Sequence, residues 1–349
     1  MRKYLKRSLS LPLLLLFVFA ICLYIFITPL ESSFANYTKS ATIAVTEGAV
    51  VSSTSHKHVT KSLSELGRIP ELSRHILFFN RVPKSGSEML VLLLQWLQGQ
   101  NNFRHVRLRG GNKRTLSRLE QEQLVDEVTD VIRDKAVPLT FDRHVYFINF
   151  TSFHKQSPTF INLIRDPVQK LISRFYYRRV TSNPRNPDLK FAPAIDLDRK
   201  YSQESLEECV TLKLSECTFV HGLPYDLTIP YFCGQDPRCM YFNDKWALAT
   251  AKSNVERYFL AVGVLEELNA TLEVFENIVP YFFKGVQDIY FKELFQPHHN
   301  KNKKRPDVKE YIRSYFKDIF VCEYDFYEWI KSRLFQQLQV LYGSNSHYH

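Results

Sequence analysis

The chain has 349 residues, 45% of them hydrophobic, with 11 Gly and 16 Pro. That composition excludes collagen-like and low-complexity chains and leaves room for one large domain or two small ones. The formal net charge of +10 points to an acidic partner, whether nucleic acid, anionic membrane or polyanionic glycan, and composition does not choose among them.

The N-terminus narrows the choice. Arg2, Lys3, Lys6 and Arg7 precede an uncharged apolar run from Leu11 to Ile27, close to the shortest length that spans a bilayer. Basic flanks on that side predict a cytoplasmic N-terminus and a luminal body. The run is long for a signal-peptide core, and Thr28-Pro29-Leu30-Glu31 is a poor cleavage site, which favours an uncleaved type II anchor. The expected layout is a tail over 1–8, an anchor over 9–30, a Ser/Thr-rich stem over 31–70 and a luminal body over 71–349. Asn36, Asn149 and Asn269 each begin a glycosylation triplet, which matters only in such a compartment. A luminal body removes nucleic acid as a partner and leaves an acidic glycan.

Ile76 to Asn80 is a short apolar run suited to a buried strand. A loop of small and hydroxyl residues follows, Arg81-Val82-Pro83-Lys84-Ser85-Gly86-Ser87. Met89, Leu90, Leu93, Leu94 and Leu97 then recur at helical spacing. Strand, small-residue loop and helix N-terminus make a phosphate cradle, because the first amides of a helix lack partners and the dipole is positive there. Lys84 adds a charge, and Ser85 and Ser87 add hydroxyls. The spacing is not that of a nucleotide-hydrolysing P-loop.

Asn101 to Arg118 carries six basic residues, among them Arg104, Arg107 and Arg114, and reads as a solvated surface or one wall of a polyanion groove. Leu116 to Ile132 reads as an amphipathic helix. Val145 to Phe150 alternates and is aromatic, so it is expected as a strand with Arg143 and His144 at its entrance. Histidine is the side chain best suited to take a hydroxyl proton near neutral pH. Thr159 to Ile164 is another buried strand, followed by Arg165-Asp166-Pro167-Val168, with Asp166 placed as an N-cap. Ser173 lies eight residues beyond Arg165. Arg174 and Arg178 share a helix face and either contact acidic groups of an acceptor or face solvent.

Cys209, Cys217, Cys233 and Cys239 lie close together, and four cysteines allow three pairings. Cys322 is left as a buried thiol. Trp246 to Tyr258 reads as a helix, Phe259 to Val264 as a strand, and Leu265-Glu266-Glu267 as a helix start with solvated carboxylates. Pro297 to Pro306 is a basic loop, and Tyr311 to Leu341 reads as helices.

These motifs together resemble the 2-O-sulfotransferases that act on uronic acids of glycosaminoglycans. The likeness runs from about Ile76 to Tyr342 and leans to the uronyl 2-sulfotransferase and Pipe-like branch, most specifically in Tyr231-Phe232-Cys233-Gly234-Gln235-Asp236-Pro237-Arg238-Cys239. The resemblance implies a P-loop-like α/β sulfotransferase fold, a central parallel sheet flanked by helices. It implies 3'-phosphoadenosine 5'-phosphosulfate as donor, held by Arg81, Lys84, Ser85, Gly86 and Ser87 at the 5' end. Arg165 and Ser173, with Asn300 and Lys303 of the basic loop, would hold the 3'-phosphate. His144 would be the base and Lys84 the group that meets leaving-phosphate charge. Arg143, Arg174 and Arg178 are candidate contacts to a glycosaminoglycan or glycoprotein glycan. Relatives pair their cysteines sequentially, Cys209 with Cys217 and Cys233 with Cys239. The heparan-specific branch carries a second histidine where this chain has Asp142, and an acceptor-binding arginine near His298, so the acceptor stays open.

No metal is expected. A metal-dependent glycan kinase would need carboxylates beside the phosphates, and only Asp166 is near enough in sequence to be recruited. A glycan-binding protein that had lost its chemistry would have no reason to keep Lys84, His144, Arg165 and Ser173 together. The expected compartment is the Golgi membrane, and self-association stays open.

Overall fold

The computed structural model describes residues 72–110, 113–135, 137–181, 205–294 and 306–345. The apolar run, the stem, Asn36, Asn300 and Lys303 lie outside the described residues. No helix among the described residues is long and apolar enough to cross a membrane.

Five strands form one parallel sheet: β1 (Leu72–Asn80), β2 (Arg104–Arg107), β3 (Leu139–Arg143), β4 (Ser157–Ile164) and β5 (Phe259–Val264), in the spatial order β2-β3-β1-β4-β5. All eight residues of β4 are buried, as a parallel strand covered on both faces requires. Phe78 of β1 lies 6.4 Å from Phe141 and 5.3 Å from Phe160, and Phe160 lies 5.3 Å from Phe259, so one ring from each of four strands builds the centre of the core.

The longer helices are α1 (Ser87–Gln100), α2 (Arg118–Lys135), α3 (Pro167–Thr181), α4 (Lys245–Tyr258), α5 (Leu268–Ile278), α6 (Glu310–Ile319) and α7 (Val321–Asn345). The connection leaving β1 runs toward β2, and the one leaving β4 runs toward β5. The loops at the carboxyl ends of β1 and β4 therefore diverge over the boundary between those strands, where open α/β sheets place ligands.

Two expectations are corrected. Val145 to Phe150 is not a strand; the strand is Leu139–Arg143, and His144 stands at its exit. β1 ends at Asn80, so β3 loses its central neighbour after Arg143. The amides of Tyr146 and Phe147 then donate to the carbonyls of Arg114 and Tyr231, both at 3.1 Å. The aromatic run beyond the histidine is buried loop. The second correction is β2, an edge strand reading Arg-His-Val-Arg inside a stretch expected as surface. Exposed charge along an edge strand blocks edge pairing and hides the strand from a hydrophobicity pattern.

Candidate active site

The loop after β1 contains two left-handed residues, Lys84 at φ 65° and Gly86 at φ 79°. Gly86 caps α1, and its carbonyl accepts from Met89 N at 3.1 Å. A Cβ there would lie 2.8 Å from Leu265 Cδ1. Successive turns of this hand point backbone amides inward and make an anion nest. Ser85 is fully buried, and its Oγ has no hydrogen-bond partner among the described residues. A buried hydroxyl without a partner is costly and fits a loop built to meet oxygen atoms of a ligand. Ser87 is buried at the first turn of α1.

The loop after β4 comes to the same place. Arg165 Nη1 donates to Lys84 O at 3.4 Å, and Lys84 Nζ lies 3.5 Å from the centre of the Tyr177 ring on α3. Asp166 caps α3, accepting from Gln169 N at 2.8 Å, and Tyr324 OH donates to it at 2.8 Å. Glu266, expected as a solvated or helix-start carboxylate, is exposed in the turn Leu265–Glu267 and also holds this loop. It lies 3.7 Å from Arg165 Nε and accepts from Asp166 N at 3.1 Å, and burial raises its pKa. Ser173 is buried one turn before Tyr177. The loop that carries Lys84, Ser85, Gly86 and Ser87 thus meets Arg165 and, one turn beyond Ser173, Tyr177.

His144 completes it. Its Nδ1 lies 3.0 Å from Arg81 O. A carbonyl only accepts, so Nδ1 carries the proton and Nε2 keeps a lone pair. Burial first, then the Arg81 charge, depresses the imidazole to about 4. At neutral pH the ring is an uncharged base.

Arg81 does not face the crevice with its side chain. The guanidinium is buried, donating to Asp142 Oδ1 at 2.8 Å and to Glu88. Its amide donates to Arg143 O at 2.8 Å. It braces the loop and contributes its carbonyl to His144, and the side chain that the resemblance implies for the donor is engaged by Asp142 and Glu88. Asp142 is fully buried; His105 Nε2 donates to it at 2.9 Å and Arg107 Nε at 3.4 Å. Burial alone would raise its pKa, but the His105 hydrogen bond and the Arg81 and Arg107 charges outweigh it, and the carboxylate is held below its usual range. Sequence reading missed His105 and Glu88. The signal was the alternation in Arg104-His105-Val106-Arg107, which puts His105 and Arg107 on one face of a strand.

Arg143 is not brought to the crevice. Side chains alternate across a strand, so it leaves β3 on the face opposite Asp142. Its guanidinium fills the space beside Gly110, where a Cβ would lie 2.2 Å from Nη2, and feels the charges of Glu120 and Glu127. Arg174 is turned to Asp226. It donates to Asp226 O, and burial, then the neighbouring Arg178 and Arg114 charges, lower its pKa to about 10. Arg178 lies 4.0 Å from Glu216, which also pairs with Arg179 at 2.5 Å.

Both sequential disulfides are present, Cys209–Cys217 and Cys233–Cys239, and Cys322 is a buried thiol. The first closes the turn that carries Glu216. The second braces the site: Gln235 Nε2 donates to Tyr146 O at 3.0 Å and to Arg114 O at 3.3 Å, and Tyr231 O accepts from Asn80 Nδ2 at 2.7 Å. Among the described residues, Cys209, Glu216 and Cys217 are grouped closely enough to suit a cation, but the two sulfurs are spent on each other. Asn149 caps the turn Phe150–Phe153, accepting from Thr151 Oγ1 at 2.7 Å, and Asn269 is exposed in the first turn of α5.

Residues 72–329 match the sulfotransferase family. Uronyl 2-sulfotransferase of Homo sapiens is 35% identical over 278 residues, covering 77% of this chain and 64% of that protein. Uronyl 2-sulfotransferase homolog pip of Drosophila melanogaster is 33% identical over 276 residues, covering 76% of this chain and 53% of that protein. Heparan sulfate 2-O-sulfotransferase 1 of Xenopus laevis is 30% identical over 258 residues, covering 72% and 68%. The chain thus spans less than two thirds of the length of these two uronyl relatives.

Proposed function

Since the chain belongs to the sulfotransferase family, we propose that it transfers a sulfuryl group from 3'-phosphoadenosine 5'-phosphosulfate to the 2-hydroxyl of a uronic acid residue in a glycosaminoglycan-type glycan. The observation that carries the reading is the neutral His144, tied through Nδ1 to Arg81 O in the same loop whose Lys84 meets Arg165. The Lys84 ammonium, the amides of the loop and Ser85 Oγ suit the 5' end of the donor. Arg165 and Ser173 suit the 3'-phosphate. The donor supplies an activated sulfur and a phosphate leaving group. His144 Nε2 takes the acceptor hydroxyl proton as that oxygen bonds to sulfur. The bond from sulfur to the bridging phosphate oxygen breaks with its electron pair on the phosphate, where Lys84 offsets the growing charge.

The membrane anchor, the luminal stem and a Golgi location belong to the same reading, supported by the basic flank and apolar run at the N-terminus. The test is to incubate the purified luminal body with labelled donor and a panel of dermatan, chondroitin and heparan polymers, then to analyse the disaccharides. Label on the uronate 2-oxygen supports the reading. Label confined to amino-sugar positions, or no transfer to any polymer, refutes it.

A further inference from the structure

Helix α3 carries Lys170, Arg174 and Arg178 at intervals of four, which stacks them on one face. Tyr177 and Ser173 share the adjacent face, and Tyr177 lies under Lys84. One helix therefore turns one face to the donor loop and a row of cations elsewhere. Arg114 meets that row from the segment between β2 and α2. Asp226 draws the pieces together: it pairs with Arg114, lies 3.4 Å from Arg174 Nη1, and accepts from Tyr146 OH at 3.4 Å. Tyr146 follows His144 by two residues and packs edge-on against Tyr231 at 4.9 Å. Arg114 is close enough for its charge to help depress His144.

The rim of this cluster is partly open, with the Arg114 and Arg174 side chains 27% and 25% exposed. Its floor is not. Lys170 is 1% exposed, with Nζ 5.4 Å from the centre of the Tyr231 ring and no hydrogen-bond partner among the described residues. Tyr231 is fully buried, and its hydroxyl also has none. Arg114 Nε is a third buried donor without a partner. Three donors without a hydrogen-bond partner among the described residues thus lie around the Tyr231 ring, with Glu323 the buried carboxylate whose charge Lys170 feels and Asp226 the carboxylate that pairs with both arginines. Buried donors without a hydrogen-bond partner are expensive, and a carboxylate offers two oxygens with about four acceptor positions to answer them.

We propose that Arg114, Lys170 and Arg174 form the subsite for the carboxylate of the acceptor uronate, with Asp226 holding the two arginines side by side until the acceptor arrives. This rests on the transfer reaction proposed above. The donor's phosphates are taken by the other face of α3, so the anion that belongs here comes from the acceptor. A uronate whose 2-hydroxyl faces His144 carries its carboxylate on the same ring. Asp226 already shows that a planar carboxylate suits these arginines.

The test uses the acceptor polymer on which the wild-type chain turns over fastest, in native, carboxyl-reduced and desulfated forms. Wild type, Arg114→Gln, Arg114→Lys and Lys170→Met are compared. Reducing the carboxyls is expected to lower the wild-type kcat/KM roughly 10- to 100-fold, the scale of charged hydrogen bonds. Arg114→Gln and Lys170→Met lose a similar factor on native polymer and little more on reduced polymer, while Arg114→Lys keeps part of the activity. Affinity for 3'-phosphoadenosine 5'-phosphate, measured by calorimetry, stays within about twofold of wild type, the near-zero coupling expected of a separate site. Arg114 is on the partly open rim, so its variants remain informative if Lys170→Met fails to fold. Variants that match wild type on native polymer overturn the subsite, as do losses that simply multiply with carboxyl reduction. A wild-type loss on desulfated polymer, with none on carboxyl reduction, overturns the carboxylate assignment. A wild type inactive on every polymer refutes the transfer reaction itself.

Discussion

His144→Ala is the sharpest test of the proposed chemistry. The 3.0 Å contact to Arg81 O fixes the proton on Nδ1, and burial holds the ring near a pKa of about 4, so nearly every molecule at pH 7 presents Nε2 as a base. Removing a general base costs about 10²–10⁴-fold in rate, a barrier increase of about 3–5 kcal/mol. Donor affinity should hardly change, because the imidazole belongs to the acceptor side of the crevice. The same ring makes a pH prediction. A folded value of about 4 against an ordinary 6.5 means the unfolded chain binds more protons between those values. Stability therefore rises with pH across that window and is lost as pH falls through it, by about 3 kcal/mol at the limit. His144→Ala removes this contribution, so its melting temperature should fall less than that of wild type between pH 6.5 and 4. The assays are transfer of labelled sulfate, calorimetry with 3'-phosphoadenosine 5'-phosphate, and thermal unfolding at both pH values. A variant within tenfold of wild-type turnover, or a folded variant that no longer binds the nucleotide, refutes the assignment. So does a nitrogen-15 spectrum placing the neutral-ring proton on Nε2.

Asp142→Asn leaves the buried Arg81 guanidinium short of charge and should cost about 3 kcal/mol, a drop of roughly 10 °C in Tm. An unchanged Tm rejects the brace. Gly86→Ala forces a left-handed alanine at about 1–2 kcal/mol and pushes on Leu265, so donor affinity measured by calorimetry should fall about tenfold; unaltered affinity rejects the nest. Cys233→Ser with Cys239→Ser should lower stability by about 2 kcal/mol in thermal unfolding and raise KM for the acceptor, because Gln235 and Tyr231 hang from that bridge. A change in donor affinity alone would contradict it.

Much of this was legible before any coordinates. The runs at Ile76 to Asn80, Thr159 to Ile164 and Phe259 to Val264 are strands because both faces of a parallel sheet are covered, so they read as unbroken apolar stretches. Asp166-Pro167 announces the start of α3 by local capping chemistry alone. What failed was long-range. The run after His144 is aromatic because it is buried beneath Tyr231 and Gln235, and aromatic burial in a loop reads like a strand. Arg81 looked like a phosphate ligand because sequence counts charges without their partners; Asp142 lies 61 residues away and Glu88 in the first turn of the following helix. Glu266 gave no sign of its task, since the residue it steadies, Arg165, comes from a different strand end.

The placement of His144 at the exit of β3 has a consequence for the chemistry. In a parallel sheet every strand exit lies on one edge, so the turns after β1, β3 and β4 converge without any special folding. Arg81 is bonded three times to β3 and its exit: its amide joins Arg143, its carbonyl orients the imidazole, and its side chain pairs with Asp142. Lys84 is in the same loop, so the proposed base and the proposed cation for the leaving group are set by one short piece of backbone. An error in that loop misplaces both at once. That is why one buried carboxylate, Asp142, and one exposed carboxylate, Glu88, are both spent on the Arg81 side chain.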